Sequence, residues 1–118
     1  MTQSALTIWH NPRCSKSRQT LALIEAAGMS PQISLYLETP PSEADIRKAL
    51  KQLGFDDART LMRTGESIYK ELGLKNEMDQ DTLIQAMASH PKLIERPFVS
   101  DGQKAVLGRP PENVNKLL

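Results

Sequence analysis

The single cysteine of this chain, Cys14, lies in the run His10-Asn11-Pro12-Arg13-Cys14-Ser15-Lys16-Ser17-Arg18. A lone cysteine in an apolar segment is most simply a small buried residue. Here the flanks are charged or hydroxylated, and the run sits where a predicted strand ends and a predicted helix begins. Such a junction places unpaired backbone N–H groups and the positive end of the helix dipole beside the loop. A thiol there ionises more readily than a free cysteine, the more so with Arg13, Lys16 and Arg18 close in sequence. The same position suits a bound oxyanion, and Asn11, Arg13, Ser15, Lys16 and Ser17 form the candidate anion loop.

The spacing of Cys14 and Ser17 is that of a redox Cys-x-x-Cys with its second sulfur replaced. One sulfur cannot store two electrons as an internal disulfide, so any redox cycle needs an outside thiol. A phosphatase-type cysteine loop requires Arg six residues after the nucleophile, and Thr20 stands there. A glycine-rich phosphate loop is absent, and one cysteine with His10 and His90 makes no structural zinc set. His10 has two readings: it caps the first strand or pairs with a backbone carbonyl, or as an imidazolium it favours the Cys14 thiolate. His90, before Pro91, reads as a helix-end residue near the last carbonyls. Arg63, Arg96 and Arg109 each stand at a break in the pattern, and a guanidinium fork can donate two parallel hydrogen bonds to a tetrahedral oxyanion. Arg96–Pro97 is a candidate cis bond, with Pro97 as the cis-proline.

The elements that must position these residues follow from periodicity. Residues 4–10 read as the first strand. Lys16 to Ala27 reads as a helix with Leu21, Ile24 and Gly28 on one face, widened by Ala22, Leu23 and Ala27, and Gly28 ends it. In Gln32 to Leu37, Ile33, Leu35 and Leu37 alternate with polar residues and predict a second, parallel strand across a right-handed crossover. Ser42 and Asp45 have capping-box spacing, followed by an Ile46, Ala49, Leu50, Leu53 stripe and Gly54 as the stop. Residues 56–90 predict two or three short helices punctuated by Gly65, Gly73 and Pro91. Pro97–Ser100 and Lys104–Leu107 predict a hairpin turning at Asp101-Gly102. A short last helix places Val114, Leu117 and Leu118 on one side, with a proline in its first turn.

At 118 residues, with 39% hydrophobic and 25% charged side chains, the chain is expected to be one domain able to bury a core. The 15 basic and 14 acidic residues, net +1, exert no general pull on nucleic acid or membrane. No apolar run reaches the roughly 20 residues of a membrane span. Residues 1–4 lack the regions of a signal peptide, and the lone cysteine does not point to an oxidising compartment, so the expected location is cytoplasmic.

Taken together, residues 10–18, Leu-Tyr-Leu-Glu-Thr-Pro-Pro-Ser (35–42), Leu-Met-Arg-Thr (61–64), His-Pro-Lys-Leu-Ile-Glu-Arg-Pro (90–97) and Gly-Arg-Pro-Pro-Glu (108–112) resemble the glutaredoxin-dependent arsenate reductase family along nearly the whole chain. The resemblance implies a thioredoxin-like α/β fold: a small mixed four-stranded sheet flanked by helices. Its core would comprise about 4–40 and 92–118, with a helical insertion over about 42–91, all within one domain, 1–118. It implies a cytoplasmic bacterial enzyme without a bound cofactor that reduces arsenate to arsenite, with glutathione as co-substrate and glutaredoxin as partner. Carried over by residue, Cys14 is the nucleophile and His10 assists its ionisation. Arg63, Arg96 and Arg109 hold the oxyanion, and Pro97 is the cis-proline. Two other activities fit the same domain: a thiol-sensing regulator or adaptor that binds RNA polymerase, and a glutathione-dependent thiol reductase with another substrate. The first commonly needs Cys-x-x-Cys, which this chain lacks.

Overall fold

The computed structural model describes residues 6–118, which form two compact units: residues 6–39 with Arg96–Leu118, and Pro40–Glu95. The first unit carries the sheet. Strand β1 (Thr7–Trp9) leads through the cysteine loop into helix α1 (Ser15–Ala26), which returns to strand β2 (Gln32–Ser34). Strands β3 (Phe98–Ser100) and β4 (Ala105–Leu107) follow late in the chain, and a 3-10 helix, Pro111–Leu117, ends it. The sheet order is β2-β1-β3-β4. β1 pairs with β2 in parallel, Ile8 opposite Ile33, and antiparallel with β3, Ile8 opposite Val99. β3 pairs antiparallel with β4. The result is a mixed four-stranded sheet flanked by helices.

Strand alternation divides the sheet's residues between two faces. Ile8 and Val99 point to one face, where they join Leu6, Ile24 of α1 and Val114 of the terminal 3-10 helix in a fully buried cluster. Trp9 and Phe98, the next cross-strand pair, meet on the other face with ring centroids 4.4 Å apart and planes tilted by 40°. Both ends of the cysteine loop are thereby anchored, β1 by the sheet and α1 by Ile24.

Helix α1 departs from its predicted face. Its buried stripe is Ser17, Thr20 and Ile24, with Leu21 and Leu23 half-buried, whereas Ala22, Ala27 and Gly28 are exposed. Two hydroxyls occupy the inward positions of the first turns because their oxygens are spent on local hydrogen bonds. The helix closes as expected at Gly28 (φ 82°): its N–H donates to the Glu25 carbonyl, and the Met29 N–H to that of Ile24, a Schellman arrangement.

The second strand is shorter than its alternation predicts. After Ser34 the chain turns, with the Glu38 and Thr39 amides donating to the Leu35 carbonyl. Tyr36, on the polar side of the predicted pattern, is completely buried, whereas Ile33 and Leu37 are 46% and 39% exposed. As an edge strand, β2 has no neighbour to continue its ladder, so the turn wins over the alternation. The first strand is also shorter; positions 4 and 5 of the predicted span lie outside the described residues. The hairpin turn is displaced by one residue: Asp101 N–H donates to the Lys104 carbonyl, leaving Gly102 (φ 97°) and Gln103 at the tip. The Asp101 carboxylate accepts the Gln103 and Lys104 amides, so its side chain serves the turn from outside it. The last helix is 3-10 and buries Val114, but Leu118 is 43% exposed.

The second unit opens with α2 (Glu43–Leu53). Its capping box is complete: Ser42 Oγ accepts the Asp45 N–H, and Asp45 returns the bond to the Ser42 N–H, each at 3.1 Å. Ile46, Ala49 and Leu50 are buried, as are Leu83, Ile84 and Met87 of α4 (Gln80–Ser89), against which α2 packs. Between them lie α3 (Ser67–Glu71) and 3-10 turns at Ala58–Leu61 and Leu74–Asn76, so the two or three short helices predicted over 56–90 are α3 and α4 with 3-10 turns beside them, and a further 3-10 turn, Pro91–Leu93, follows α4. Short pieces need external ties. Arg59, to which the sequence analysis assigns no role, supplies them by donating to Tyr69 Oη (3.0 Å) and to the Leu74 (3.0 Å) and Glu77 carbonyls.

Candidate active site

Cys14 is the N-cap of α1, with extended backbone (φ −95°, ψ 122°), and its thiol is partly accessible. The turn before it is held by Asn11. Its carbonyl accepts the Cys14 N–H (2.9 Å), and its side-chain Oδ1 accepts the Arg13 N–H (3.0 Å). The Arg13 and Cys14 amides, candidate donors for an anion, are therefore occupied within the loop. Those that act on the sulfur lie one turn later, in the helix itself. Partial burial alone would push the Cys14 thiol up. The Ser17 N–H, the hydrogen bond and charge of the Arg96 guanidinium, and the Lys16 N–H outweigh that effect and bring it below its ordinary value.

His10 is buried at the end of β1, where its N–H donates to the Ser34 carbonyl (2.9 Å). Its ring faces Ser17, not the sulfur, with Nδ1 2.6 Å from Ser17 Oγ. The Ser17 oxygen also accepts the Asn11 N–H (3.1 Å). Burial, and secondarily the charge of Arg18, lower the His10 pKa, with Glu25 acting weakly the other way. Both lowering effects favour the neutral ring over the imidazolium, and Ser17 Oγ lies within hydrogen-bonding distance of its Nδ1. His10 thus locks the residue whose N–H reaches Cys14.

Arg96 approaches Cys14 from the start of β3. Arg109 is exposed, and its Nη1 donates to the Arg96 carbonyl at 3.3 Å. Asn113 Nδ2 donates to the Leu107 (3.1 Å) and Arg109 (3.2 Å) carbonyls, tying that segment to the terminal 3-10 helix. The Arg96–Pro97 bond is cis, and so is Arg109–Pro110, which the sequence analysis does not single out. Ser15 is exposed and Lys16 half-buried; Arg13 is exposed. Arg18 Nη1 donates to the Pro12 carbonyl (2.8 Å), bracing the loop from α1.

Compared with known proteins, residues 9–117 match the model of the ArsC family. The chain belongs to the ArsC family. It is 52% identical to an uncharacterized Escherichia coli protein, YfgD, over 94% of each chain. It is 48% identical to the arsenate reductase of Haemophilus influenzae, covering 97% of this chain and 99% of that one. Among solved structures, an arsenate reductase from Vibrio cholerae superposes with a TM-score of 0.96 at 48% identity, over 99% of this chain and 100% of that one. The fold is accordingly the thioredoxin-like mixed α/β arrangement of ArsC proteins.

In this ArsC chain the first unit holds Arg96 near Cys14, His10 and Asn11 against Ser17, and Arg109 against the Arg96 carbonyl. Arg63 belongs to the second unit. Its backbone N–H donates to the Leu93 carbonyl (2.7 Å), next to the isolated bridge between Met62 and Ile94. Its guanidinium Nε lies 3.2 Å from Glu66 and Nη1 3.7 Å from Glu95. Glu66 stands three residues after Arg63, a spacing readable in the sequence, whereas the approach of Glu95 depends on the fold. The contact of Thr20 with Gly108 joins residues 88 apart and has no signal in the local sequence. Among the described residues no cluster of three or more His, Cys, Asp or Glu could hold a metal, and no helix is long and apolar enough to cross a membrane.

Proposed function

We propose that this protein reduces arsenate to arsenite with glutathione as the reducing thiol and glutaredoxin as the partner that restores the Cys14 thiol. The carrying observation is the Cys14 sulfur at the start of α1, under the influence of the Arg96 guanidinium and two helix amides, in a chain whose relatives are named arsenate reductases. The Cys14 thiolate attacks arsenic, an arsenate hydroxyl takes up a proton from solvent and leaves as water, and a Cys14–S–As(V) adduct forms. The glutathione sulfur then attacks the Cys14 sulfur. The S–As bond breaks and its electron pair stays on arsenic as arsenite, leaving a Cys14–glutathione disulfide. Glutaredoxin takes over the glutathionyl group by thiol–disulfide exchange and returns the Cys14 thiol.

In this reading Arg96 and Arg109 carry the oxyanion's charge, with guanidinium geometry suited to its tetrahedral oxygens. Arg63 is proposed as a further substrate-binding residue on the family resemblance alone. His10 is a positioning residue through Ser17. The proposed organisation is a single domain with its thioredoxin-like core interrupted by a helical insertion, acting in the cytoplasm. The test is arsenite formation in the presence of glutathione and glutaredoxin. The wild type should turn over and Cys14→Ser should fall to background. Equal rates for both would remove the nucleophile, and an inactive wild type that captures RNA polymerase would favour a regulatory role.

A further inference from the structure

Four of the six glycines adopt positive φ, which accounts for them as turn or cap residues, and five have open space where a Cβ would be. Gly108 differs in both respects. Its φ lies outside the left-handed region, yet a Cβ built there would fall on Thr20 Oγ1, 2.7 Å from Pro97 Cγ and 3.1 Å from Thr20 Cγ2. Such separations are far inside van der Waals contact. Glycine is needed at this position for space, not for conformation.

The groups that meet there are each close in sequence to a site residue. Thr20 Oγ1 donates to the Lys16 carbonyl at 2.8 Å, one turn back along the helix that begins at Cys14, and lies 3.5 Å from the Gly108 carbonyl. The Gly108 N–H donates to the Pro97 carbonyl at 2.9 Å, adjacent to Arg96. Arg109 follows Gly108 directly. Thr20 is completely buried, although a threonine there has no apolar role to fill in the predicted helix face.

We propose that Gly108 is a positioning residue, and that its contact with Thr20 and Pro97 sets the distance between the start of α1 and the two arginine-bearing segments of the first unit. Inserting a methyl group forces these segments apart, because packed interiors absorb such a volume only by displacement. Arg96 then withdraws from the sulfur, and Arg109 moves with its own backbone.

The test compares Gly108→Ala with Gly28→Ala, which is strained by its φ of 82° but meets no atom. Both should lower the melting temperature. Only Gly108→Ala should move the pH midpoint of Cys14 alkylation by iodoacetamide upward, toward free cysteine, and raise the KM for arsenate several-fold more than it lowers kcat. Thr20→Ala in the Gly108→Ala background removes two of the three close atoms and should return the midpoint at least halfway. A folded Gly108→Ala with the wild-type midpoint, or a double variant no nearer wild type than the single one, overturns the proposal. If Gly108→Ala does not fold, Thr20→Ala alone decides: it should raise the midpoint by opening the contact, and an unchanged midpoint is the contrary result. The KM readout rests on the proposed arsenate reduction. The alkylation readout does not, so a protein that alkylates as expected but reduces no arsenate loses the substrate and keeps the positioning contact.

Discussion

At the scale of residues, function turns on which groups can reach one sulfur atom. Among the described residues, Arg96 is the one side chain whose charge and hydrogen bond both act to lower the Cys14 pKa. Arg96→Gln should therefore raise the alkylation midpoint and the KM for arsenate together, whereas Arg96→Lys keeps the charge without the fork and should restore the midpoint better than the KM. His10 acts on stability in a defined direction. Its folded pKa lies below its ordinary value, so the unfolded chain binds more protons as pH falls below that value. The stabilisation is complete above the ordinary histidine range and is lost as pH falls toward the folded pKa. In urea titrations across that window the wild type should weaken on acidification more than His10→Gln, and parallel curves for the two proteins contradict the assignment. The candidate site was legible in part. Cys14 declares itself by polar flanks at a strand–helix junction. The lowered pKa of His10 does not, because it depends on burial and, secondarily, on the charge of Arg18, eight residues away.

At the scale of elements, what is local was readable and what is tertiary was not. The capping box at Ser42 and Asp45 and the stop at Gly54 involve neighbours in sequence, and α2 forms between them as the pattern requires. Ser42→Ala should cost about 0.5–2 kcal/mol, measured by chemical denaturation. The same reasoning overextends β2, because an alternating pattern cannot show that the strand lies at a sheet edge with its Ile33 side chain half in water. Helix α1 misleads for the opposite reason. Ser17 and Thr20 look like surface positions, yet hydrogen bonds to Asn11 and Lys16 let them face inward. An inward hydroxyl at the head of the helix is a signature of the site, not of the core.

At the scale of the whole molecule, the sheet order β2-β1-β3-β4 joins segments separated by the 56 residues of Pro40–Glu95. No periodicity announces that β3 will lie beside β1; the family resemblance implied a mixed four-stranded sheet but not its strand order. The price of that topology falls on the central cluster, where Ile24 and Val114 are fully buried. Ile24→Ala should destabilise by about 2–5 kcal/mol and Ile33→Ala, on the half-exposed edge, by about 0.5 kcal/mol or less. Similar losses at the two positions would contradict the burial difference. The assembled first unit then holds the sulfur at the start of α1, on the loop that follows β1, and one guanidinium just before β3, brought close because those strands pair. The most direct test of this arrangement is the pH dependence of Cys14 alkylation in the wild type beside Arg96→Gln. The wild-type midpoint should lie below that of a free cysteine and shift upward in the variant. A wild-type midpoint at or above the free-thiol value, or no difference between the two proteins, would contradict it.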